Sequence, residues 1–257
     1  MDITTDDRYL RQRVLPEIGE EGQRRLAQAA VLVAGCGALG TNIAEVFVRA
    51  GIGRVVLVDD DRVEFSNLQR QVLMTEADVG RPKASAVAEA LAKINSQIEV
   101  AHEVTRIAAD NVERLIENVD IVLDGFDNLP SRYLLNDACV KHGIPWVFAA
   151  VAGTYGMTMP ILPGKGPCLR CLLPNPAPED VVLTAGNAGI LNTLPRAIVA
   201  IQATQALKIL VGSFDVPVKL TTVDIWQDVY NVQGIPRNEK CPCCGGRHYD
   251  FLVPTST

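Results

Sequence analysis

The sequence predicts an α/β protein built on a mostly parallel β-sheet with helices on both faces. Short apolar runs alternate with segments of helical composition along the first 150 residues, which is the pattern of strands joined by helical crossovers. The apolar runs are continuous, as in strands that are buried on both faces. A glycine-rich turn follows the first run directly, and such turns open the nucleotide-binding unit of many parallel sheets.

Composition places this chain of 257 residues among ordinary globular proteins. It is 48% hydrophobic and 21% charged, with 20 glycines and 15 prolines, which excludes a disordered, collagen-like or coiled-coil protein. The net charge of −6 argues against a broad basic face for nucleic acid. A phosphorylated small molecule needs only a few local cations, so we expect a ligand of that kind and no nucleic-acid partner.

The sequence contains neither an obvious membrane span nor a secretory signal. Residues 196–212 form the most apolar long stretch, but Gln202 and Lys208 interrupt it, and a span needs about 20 mostly apolar residues. The first seven residues include acids and no apolar run, unlike a signal peptide. We therefore expect a cytoplasmic protein with no membrane partner.

The first unit of the sheet is a strand, a helix and a second strand. Residues 31–34 form an apolar run that stops at Gly35, residues 41–50 have helical composition, and residues 55–58 form a run that stops at Asp59. This unit of about 30 residues has the length of a right-handed parallel crossover.

The alternation then continues through residue 150. Ala84, Val87, Ala88 and Leu91 share one helical face, and we predict further strands at 98–101, 121–123 and 146–150, with helices at 111–117 and 131–142. After Gly153 we predict a strand at 154–162, a largely irregular stretch over 160–192, a long buried helix at 194–210, and two short strands within 218–232 that form an antiparallel C-terminal extension of the sheet.

The glycine-rich turn is a candidate phosphate site. Gly35, Gly37 and Gly40 match G-x-G-x-x-G between a strand and a helix, where backbone N–H groups and the helix N-terminus face an anion. Asp59 ends the next strand, where a carboxylate accepts hydrogen bonds from ribose hydroxyls. The motif does not separate ATP from a nicotinamide dinucleotide, and a tight turn without a ligand is the simpler alternative.

Polar residues downstream of Asp59 are candidates for contact with phosphates. They are Asp61, Asn67, Arg70 and Gln71, followed by Lys83 in the first turn of its helix. A cation there is unfavourable beside the helix dipole unless an anion shares the site. The alternatives are a solvated Arg70 and a frayed helix start at Lys83.

Two carboxylates follow the strand at 121–123. Asp127 lies at the carboxyl end of a parallel strand, where a hard cation such as Mg²⁺ would bridge a carboxylate to phosphate. Asp127 or Asn128 is equally well suited to cap the next helix, because Pro130 follows closely.

Five of the seven cysteines fall in two clusters. Cys168 with Cys171 and Cys241 with Cys244 have C-x₂-C spacing, and four thiolates would complete a closed, structural Zn²⁺ site, with the second pair in a zinc knuckle. Cys243 would be a fifth thiol beyond the four that Zn²⁺ needs. We leave it out of the site because only one residue lies between it and Cys241, whereas two residues lie between Cys168 and Cys171. A redox role is less favoured, since neither pair is expected to open a helix in a thioredoxin-like context.

The remaining thiols are Cys36, in the glycine turn, and Cys139, in a predicted helix. We expect both to be small packed residues.

Together these segments resemble the ATP-dependent adenylyltransferases of the MoeB/ThiF/HesA family, bacterial relatives of ubiquitin-activating enzymes. The resemblance runs from residues 8–12 (Arg-Tyr-Leu-Arg-Gln) to Cys244, and its most specific parts are residues 66–71 (Ser-Asn-Leu-Gln-Arg-Gln), 80–84 (Gly-Arg-Pro-Lys-Ala) and 124–128 (Asp-Gly-Phe-Asp-Asn). It implies one Rossmann-like domain over residues 1–257, with an N-terminal helical arm at about 1–28, a nucleotide-binding core at about 29–153 and a zinc-clamped part at about 154–257.

The resemblance also implies a reaction and a set of roles. The reaction is adenylation of the C-terminal Gly-Gly carboxylate of a small ubiquitin-like sulfur-carrier protein, with release of pyrophosphate. Asp59 would hold the ribose, Asp127 would bind Mg²⁺, and Arg11 would reach the phosphates from the partner subunit of a homodimer. Four residues would surround the triphosphate, with Asp61 and Asn128 beside the nucleotide: Asn67, Arg70, Gln71 and Lys83.

Some relatives carry a cysteine in the loop before the long helix, whereas residues 182–186 here contain none, so covalent catalysis from that loop is not expected. Only residues 247–257 follow the predicted zinc knuckle and its two glycines, so we expect sulfur to come from a separate donor. Three alternatives stay open: adenylation of a peptide or small-molecule carboxylate, an NAD(P)-dependent oxidoreductase, and a zinc-stabilised scaffold without turnover. The intact polar set argues against the last.

Overall fold

A single eight-stranded sheet organises the molecule. A computed structural model of the chain describes residues 8–176, 185–213 and 216–253, and the strands lie in the order β3-β2-β1-β4-β5-β6-β7-β8. The first five are mutually parallel, and β6, β7 and β8 are added antiparallel. Their bounds are β1 Ala30–Ala34, β2 Arg54–Val58, β3 Glu99–Glu103, β4 Ile121–Asp124, β5 Trp146–Ala152, β6 Tyr155–Ile161, β7 Lys219–Asp224 and β8 Val229–Gly234.

Helices cover both faces of the sheet. They are α1 Leu10–Arg13, α2 Gly19–Gln28, α3 Ala38–Ala50, α4 Lys83–Ile94, α5 Val112–Ile116, α6 Leu129–His142, α7 Leu169–Leu172, α8 Ala185–Ala188 and α9 Leu194–Leu210. One core lies between the sheet and α3, α4 and α9, and the other lies beneath α5 and α6. In β1, Val31 and Val33 belong to the first core, whereas Leu32 and Ala34 belong to the second. The continuous apolar run therefore reflects burial on both faces.

The helices that approach the functional site have clear start and stop signals. Asn128 caps α6 by accepting the Ser131 N–H on its Oδ1 at 3.0 Å, and Pro130 occupies the first turn. At the other end, α3 stops at Gly51, whose φ of +86° is the left-handed C-terminal conformation that glycine adopts readily.

The mixed, mostly parallel α/β sheet, its antiparallel extension and the long helix α9 are confirmed. The strand predicted at 98–101 lies instead at Glu99–Glu103, because it pairs along the whole of β2, from Arg54 with Glu99 to Val58 with Glu103. The stretch predicted as irregular contains the single turns α7 and α8. Residues 177–184, including most of the cysteine-free segment 182–186, lie outside the described residues.

The strand order reverses at β1, which pairs with β2 on one side and β4 on the other. The loops after β1 and β4 leave the sheet there, and open α/β sheets bind ligands at such a switch point. No helix among the described residues is long and apolar enough to cross a membrane.

Candidate functional site

A cavity of about 320 Å³ lies at this switch point, which is within the range of small-ligand sites. The loops after β1, β2, β3 and β4 and the first turns of α3, α4 and α6 form its walls. Most of the predicted site residues line it: Gly35, Gly37, Asp59, Asp61, Arg70, Gln71, Lys83, Asp127 and Asn128. Asn67, Gly40 and Arg11 do not.

Backbone forms the floor of the cavity. Gly35 has a φ of +97°, and a Cβ added to it would lie 2.8 Å from the carbonyl oxygen of Gly125. A Cβ on Gly40 would lie 1.8 Å from the carbonyl oxygen of Gly35, so Gly40 allows α3 to begin directly against the loop. The N-terminus of α3, with its free N–H groups, thereby borders the cavity at Ala38.

Asp59 ties the end of β2 to the glycine turn. Its Oδ2 accepts the Cys36 N–H at 2.6 Å and its Oδ1 accepts the Asp61 N–H at 2.8 Å. Burial raises the pKa of Asp59, and the two backbone hydrogen bonds oppose that shift. Each carboxylate oxygen keeps further acceptor capacity, which ribose hydroxyls can use.

Lys83 is the first residue of a well-formed α4, so the alternative of a frayed helix start is wrong. Its side chain is 8% exposed, and its Nζ lies 2.7 Å from Oδ2 of Asp61, whose side chain is 65% exposed. The backbone N–H of Lys83 also donates to the Asp61 carbonyl at 2.9 Å. The carboxylate of Asp61 therefore offsets the unfavourable interaction between the Lys83 ammonium and the dipole of α4, without a bound anion.

The segment after β2 holds Arg70 and Gln71 against the cavity. The backbone carbonyl of Asn67 accepts the N–H groups of both residues at 3.0 Å, and its side chain caps the short 3-10 helix Phe65–Asn67 by accepting the Glu64 N–H at 3.3 Å. Asn67 is buried and acts on the site through this loop. Arg70 is half-buried and donates to the Ser66 carbonyl at 3.0 Å, so it is not a fully solvated arginine.

Asp124, the last residue of β4, and Asp127, in the loop that follows, have different environments. Asp124 is buried and accepts from Arg132 Nε at 2.9 Å and from the Phe126 N–H at 2.9 Å; burial raises its pKa and Arg132 opposes the shift. Asp127 is exposed at the cavity, where its Oδ1 accepts the Asn128 side-chain N–H at 3.2 Å. The capping role suggested for this motif belongs to Asn128, which leaves Asp127 available to a ligand.

The cavity also contains residues that the sequence reasoning missed. Thr105, Arg106 and Ile107 come from the loop after β3, and Asp60 follows β2. No motif marks residues 105–107. The signal available was position alone, because they follow a predicted parallel strand whose carboxyl end lies at the same edge of the sheet as the glycine turn.

Arg11 lies far from the cavity of its own chain. It is exposed on α1, and the neighbouring Gln12 donates through Nε2 to the Ala50 carbonyl at 2.9 Å, at the C-terminal end of α3. Helix α3 begins at the cavity and has 13 residues, so its two ends are about 20 Å apart. Tyr9 is similarly anchored beyond the end of α4, where its hydroxyl accepts from Asn95 Nδ2 at 2.8 Å.

Four thiols meet on the face of the sheet that α5 and α6 cover. We call this group the cysteine cluster: Cys168, Cys171, Cys241 and Cys244. Their sulfur atoms all lie within 4.8 Å of one another, with 3.6 Å between Cys168 and Cys241 and 3.5 Å between Cys171 and Cys244. Tetrahedral Zn²⁺ with Zn–S bonds of about 2.3 Å places its sulfurs about 3.8 Å apart. The spacing thus suits one such ion.

Cys168 of the first pair immediately precedes a helix, the single turn α7 of four residues. Cys243 stays outside the cluster and accepts a hydrogen bond from Asn136. Cys36 and Cys139 are fully buried, and burial raises the pKa of both thiols. Their packing fits the expectation that neither is a nucleophile.

Comparison with known proteins gives consistent results. The model of the ThiF family matches residues 9–243. The chain is 41% identical over 249 residues to the sulfur carrier protein ThiS adenylyltransferase of Bacillus subtilis, covering 95% of this chain and 73% of that protein. It is 41% identical over 245 residues to the sulfur carrier protein adenylyltransferase of Thermus thermophilus, and the match covers 93% of this chain and 90% of that protein.

A third relative is the SAMP-activating enzyme E1 of Haloferax volcanii, which is 38% identical over 253 residues and covers 98% of this chain and 93% of that protein. Among solved structures, E. coli MccB superposes with a TM-score of 0.83 at 24% identity, over 95% of this chain and 74% of that one. The structural likeness concerns the fold.

Proposed function

This chain belongs to the ThiF family, and we propose that it adenylates the C-terminal Gly-Gly carboxylate of a small ubiquitin-like sulfur-carrier protein with ATP, releasing pyrophosphate. The observation that carries the proposal is the joint presence of a glycine floor, Lys83, Arg70 and Arg106 in one cavity. Backbone N–H groups and three cations supply contacts for a polyphosphate. The four carboxylates in the same lining, Asp59, Asp60, Asp61 and Asp127, suit ribose hydroxyls and a metal ion.

The chemistry requires charge neutralisation more than proton transfer. A carboxylate is already ionised at neutral pH and attacks the α-phosphorus without a base; the bond from that phosphorus to the pyrophosphate oxygen breaks as the acyl–phosphate bond forms. The attacking carboxylate and the triphosphate are both anions. Fixed cations beside the α-phosphorus therefore lower the activation barrier, because they stabilise the negative charge that develops there. In this scheme Lys83 and Arg70, together with Gln71, surround the triphosphate and Asp59 holds the ribose.

Asp127 is our candidate ligand for Mg²⁺. It is an exposed carboxylate at the cavity wall, and hard oxygen ligands with phosphate oxygens are what Mg²⁺ prefers. A bound Mg²⁺ would neutralise charge on the triphosphate. Asn128 fixes the position of Asp127 by capping α6.

We also propose that the active form is a homodimer in which Arg11 completes the partner's site. The distance between α1 and the cavity supports this, because within one chain Arg11 is separated from the nucleotide by the length of α3. A two-fold interface is the commonest way to bring one such side chain to each of two sites.

The cysteine cluster is proposed to hold one structural Zn²⁺. Four thiols with sulfur separations of 3.5 and 3.6 Å in the two close pairs supply a complete tetrahedral shell, which leaves no open position for catalysis. The ion would join segments with 69 residues between Cys171 and Cys241 and so hold the C-terminal part of the proposed single domain against the nucleotide-binding core.

Sulfur is proposed to reach the adenylate from a separate donor. Among the described residues, none of those lining the cavity is a cysteine, and Cys36, Cys139 and Cys243 are fully buried. The proposed location is the cytoplasm, a reducing compartment in which cysteines remain available to bind a metal ion.

The test is ATP–pyrophosphate exchange by the purified chain with Mg²⁺ and small carrier proteins that end in Gly-Gly. We expect exchange that requires the carrier's free C-terminal carboxylate and disappears when that carboxyl is amidated. Peptide and small-molecule carboxylates serve as competing substrates. Absence of exchange with every carrier, together with tight binding of a nicotinamide dinucleotide, would refute the proposal.

A further inference from the structure

Helix α6 joins the two sites of the molecule. Its cap, Asn128, lies at the nucleotide cavity, and two turns later Asn136 and Asp137 contact the segments that carry the cysteine cluster. Both residues have 0% exposure. Buried polar side chains are costly unless they make specific hydrogen bonds, so the contacts of these two residues indicate what they do.

The carboxamide of Asn136 contacts both of the segments that carry the cysteine cluster. Its Oδ1 accepts the backbone N–H of Leu169 at 2.9 Å, between the two cysteines of the first pair. Its Nδ2 donates to Sγ of Cys243 at 3.2 Å, between the two cysteines of the second pair. One side chain therefore spans the two C-x₂-C segments.

Asp137 and Tyr133 hold neighbouring parts of the chain against α6, namely Phe251 and a residue shortly after the first cysteine pair. Oδ2 of Asp137 accepts the Phe251 N–H at 3.2 Å, and the ring of Tyr133 stacks on that of Phe251 with centroids 4.9 Å apart. The Tyr133 hydroxyl donates to the Leu173 carbonyl at 3.0 Å, just beyond the first pair. These contacts hold the two cysteine-bearing segments and residues 249–252 on α6. Asp137 also hydrogen-bonds to the Cys243 thiol, but Asn136 contacts both C-x₂-C segments with one carboxamide.

The contact with Cys243 bears on which thiols bind the metal. Cys243 and Cys244 are adjacent in sequence, and both sulfurs are available to a tetrahedral ion in an unfolded chain. In the folded chain Cys244 lies in the cluster, whereas Cys243 is buried and hydrogen-bonded to the side chains of Asn136 and Asp137. A donor on the sulfur lone pair competes with metal ligation.

We propose that Asn136 is a positioning residue for the cysteine cluster, which aligns the two pairs and holds Cys243 out of the metal shell, so that Cys244 is the fourth ligand. The inference rests on the proposed Zn²⁺ site and not on the adenylation reaction. Outer residues that orient metal ligands typically contribute 10–100-fold to metal affinity. Asn136 contacts the residue next to a ligand in each pair, Leu169 beside Cys168 and Cys243 beside Cys244.

The experiment measures zinc content and zinc release from the full chain. Wild type, Asn136→Leu, Cys243→Ala and Cys244→Ala are purified with Zn²⁺, the metal is counted per chain, and its transfer to an excess of a chromogenic chelator is timed. We expect one zinc per chain in wild type and in Cys243→Ala, and about 10–100-fold faster release from Asn136→Leu. Cys243→Ala should release zinc at a rate between these two, because it loses only the contact of Asn136 with the second pair. Cys244→Ala should not retain zinc.

Leu91→Ala is the matched control for lost stability. Leu91 is fully buried in α4, in the core on the opposite face of the sheet, so its truncation lowers the melting temperature without touching the cysteine cluster. Its zinc release should match wild type. If Asn136→Leu does not fold, Asn136→Asp keeps the acceptor for Leu169 and is timed instead, again with faster release expected.

The outcomes are separable. A wild-type chain that binds no zinc refutes the metal site itself and with it the role of Asn136. A zinc-loaded wild type with unchanged release from the Asn136 variant refutes the positioning role alone. Loss of zinc from Cys243→Ala, or retention by Cys244→Ala, shows that Cys243 is a ligand and overturns the assignment.

Discussion

The ammonium of Lys83 is paired with the carboxylate of Asp61 in the wall of the nucleotide cavity, with 2.7 Å between Nζ and Oδ2. The lysine is almost enclosed and the aspartate is open to solvent. A cation that is fixed at a helix N-terminus by an exposed acid is ready to exchange that acid for a phosphate, because a triphosphate offers more charge and more acceptors than one carboxylate.

Lys83→Met is therefore expected to weaken ATP binding by about 10–100-fold, which corresponds to the loss of one hydrogen bond between charged groups, about 1.5–3 kcal/mol. Calorimetric titration with ATP and Mg²⁺ measures it. Lys93→Met provides the control, since Lys93 is an exposed lysine in the last turn of the same helix. Equal affinities of the two variants would contradict a phosphate role for Lys83.

Replacement of Asp127 should separate catalysis from folding. Asp127→Asn is expected to lower Mg²⁺-dependent ATP–pyrophosphate exchange by at least about 100-fold, because a metal-held charge at the reacting phosphate is lost. Circular dichroism should be unchanged, since Asn128 and not Asp127 caps α6. Glu117→Gln, an exposed acid at the far end of α5, should retain full exchange. Full activity of Asp127→Asn would remove it as the magnesium ligand.

Arg11 and Asp127 offer a direct test of a shared site. Each of Arg11→Ala and Asp127→Asn should be inactive alone. In a randomly mixed population half of the dimers are heterodimers, and each has one site with both native residues, so about a quarter of wild-type exchange should return. Arg11→Ala should still bind ATP. Recovery of no activity after the subunits have been dissociated and mixed would place Arg11 outside the partner's site.

Cys168→Ala should release the proposed zinc and destabilise the chain. A cross-link that closes a loop of this length contributes about 4 kcal/mol in the chain-entropy estimate, which corresponds to a decrease in melting temperature of about 8–16 °C. Scanning calorimetry with metal analysis measures both effects. Cys139→Ala, another fully buried cysteine near the same core, should retain its zinc. Retained metal in Cys168→Ala would contradict a four-thiolate site.

The parts of this site that follow from sequence are those encoded by neighbouring residues. The turn at Gly35 lies between a buried strand and a helix, and Asp59 ends the adjacent strand, so local pattern and sheet geometry place both at one edge. The meeting of Cys168 and Cys171 with Cys241 and Cys244 could also be predicted, although 69 residues lie between the pairs, because their matching C-x₂-C spacing indicates that both bind one metal ion.

The parts that could not be predicted depend on tertiary register. Arg106 has no motif, and its place in the cavity follows from the pairing of β3 along the full length of β2. Asp124 resembles a site residue in sequence, whereas its burial against Arg132 makes it a structural group. Asn136 was invisible for the same reason, since nothing local indicates that its carboxamide meets two segments more than 30 residues away.

The backbone floor of the cavity restricts how this protein can diversify. Added methyl groups on Gly35 and Gly125 would each meet the other's carbonyl oxygen, at 2.8 and 2.6 Å, and a backbone group has no rotamer by which to make room. Positions 35 and 125 therefore tolerate only glycine, because any side chain would clash with backbone atoms. Under the proposed function, new substrate preferences would therefore arise in the walls, in loops such as 105–107, while the backbone floor stays the same.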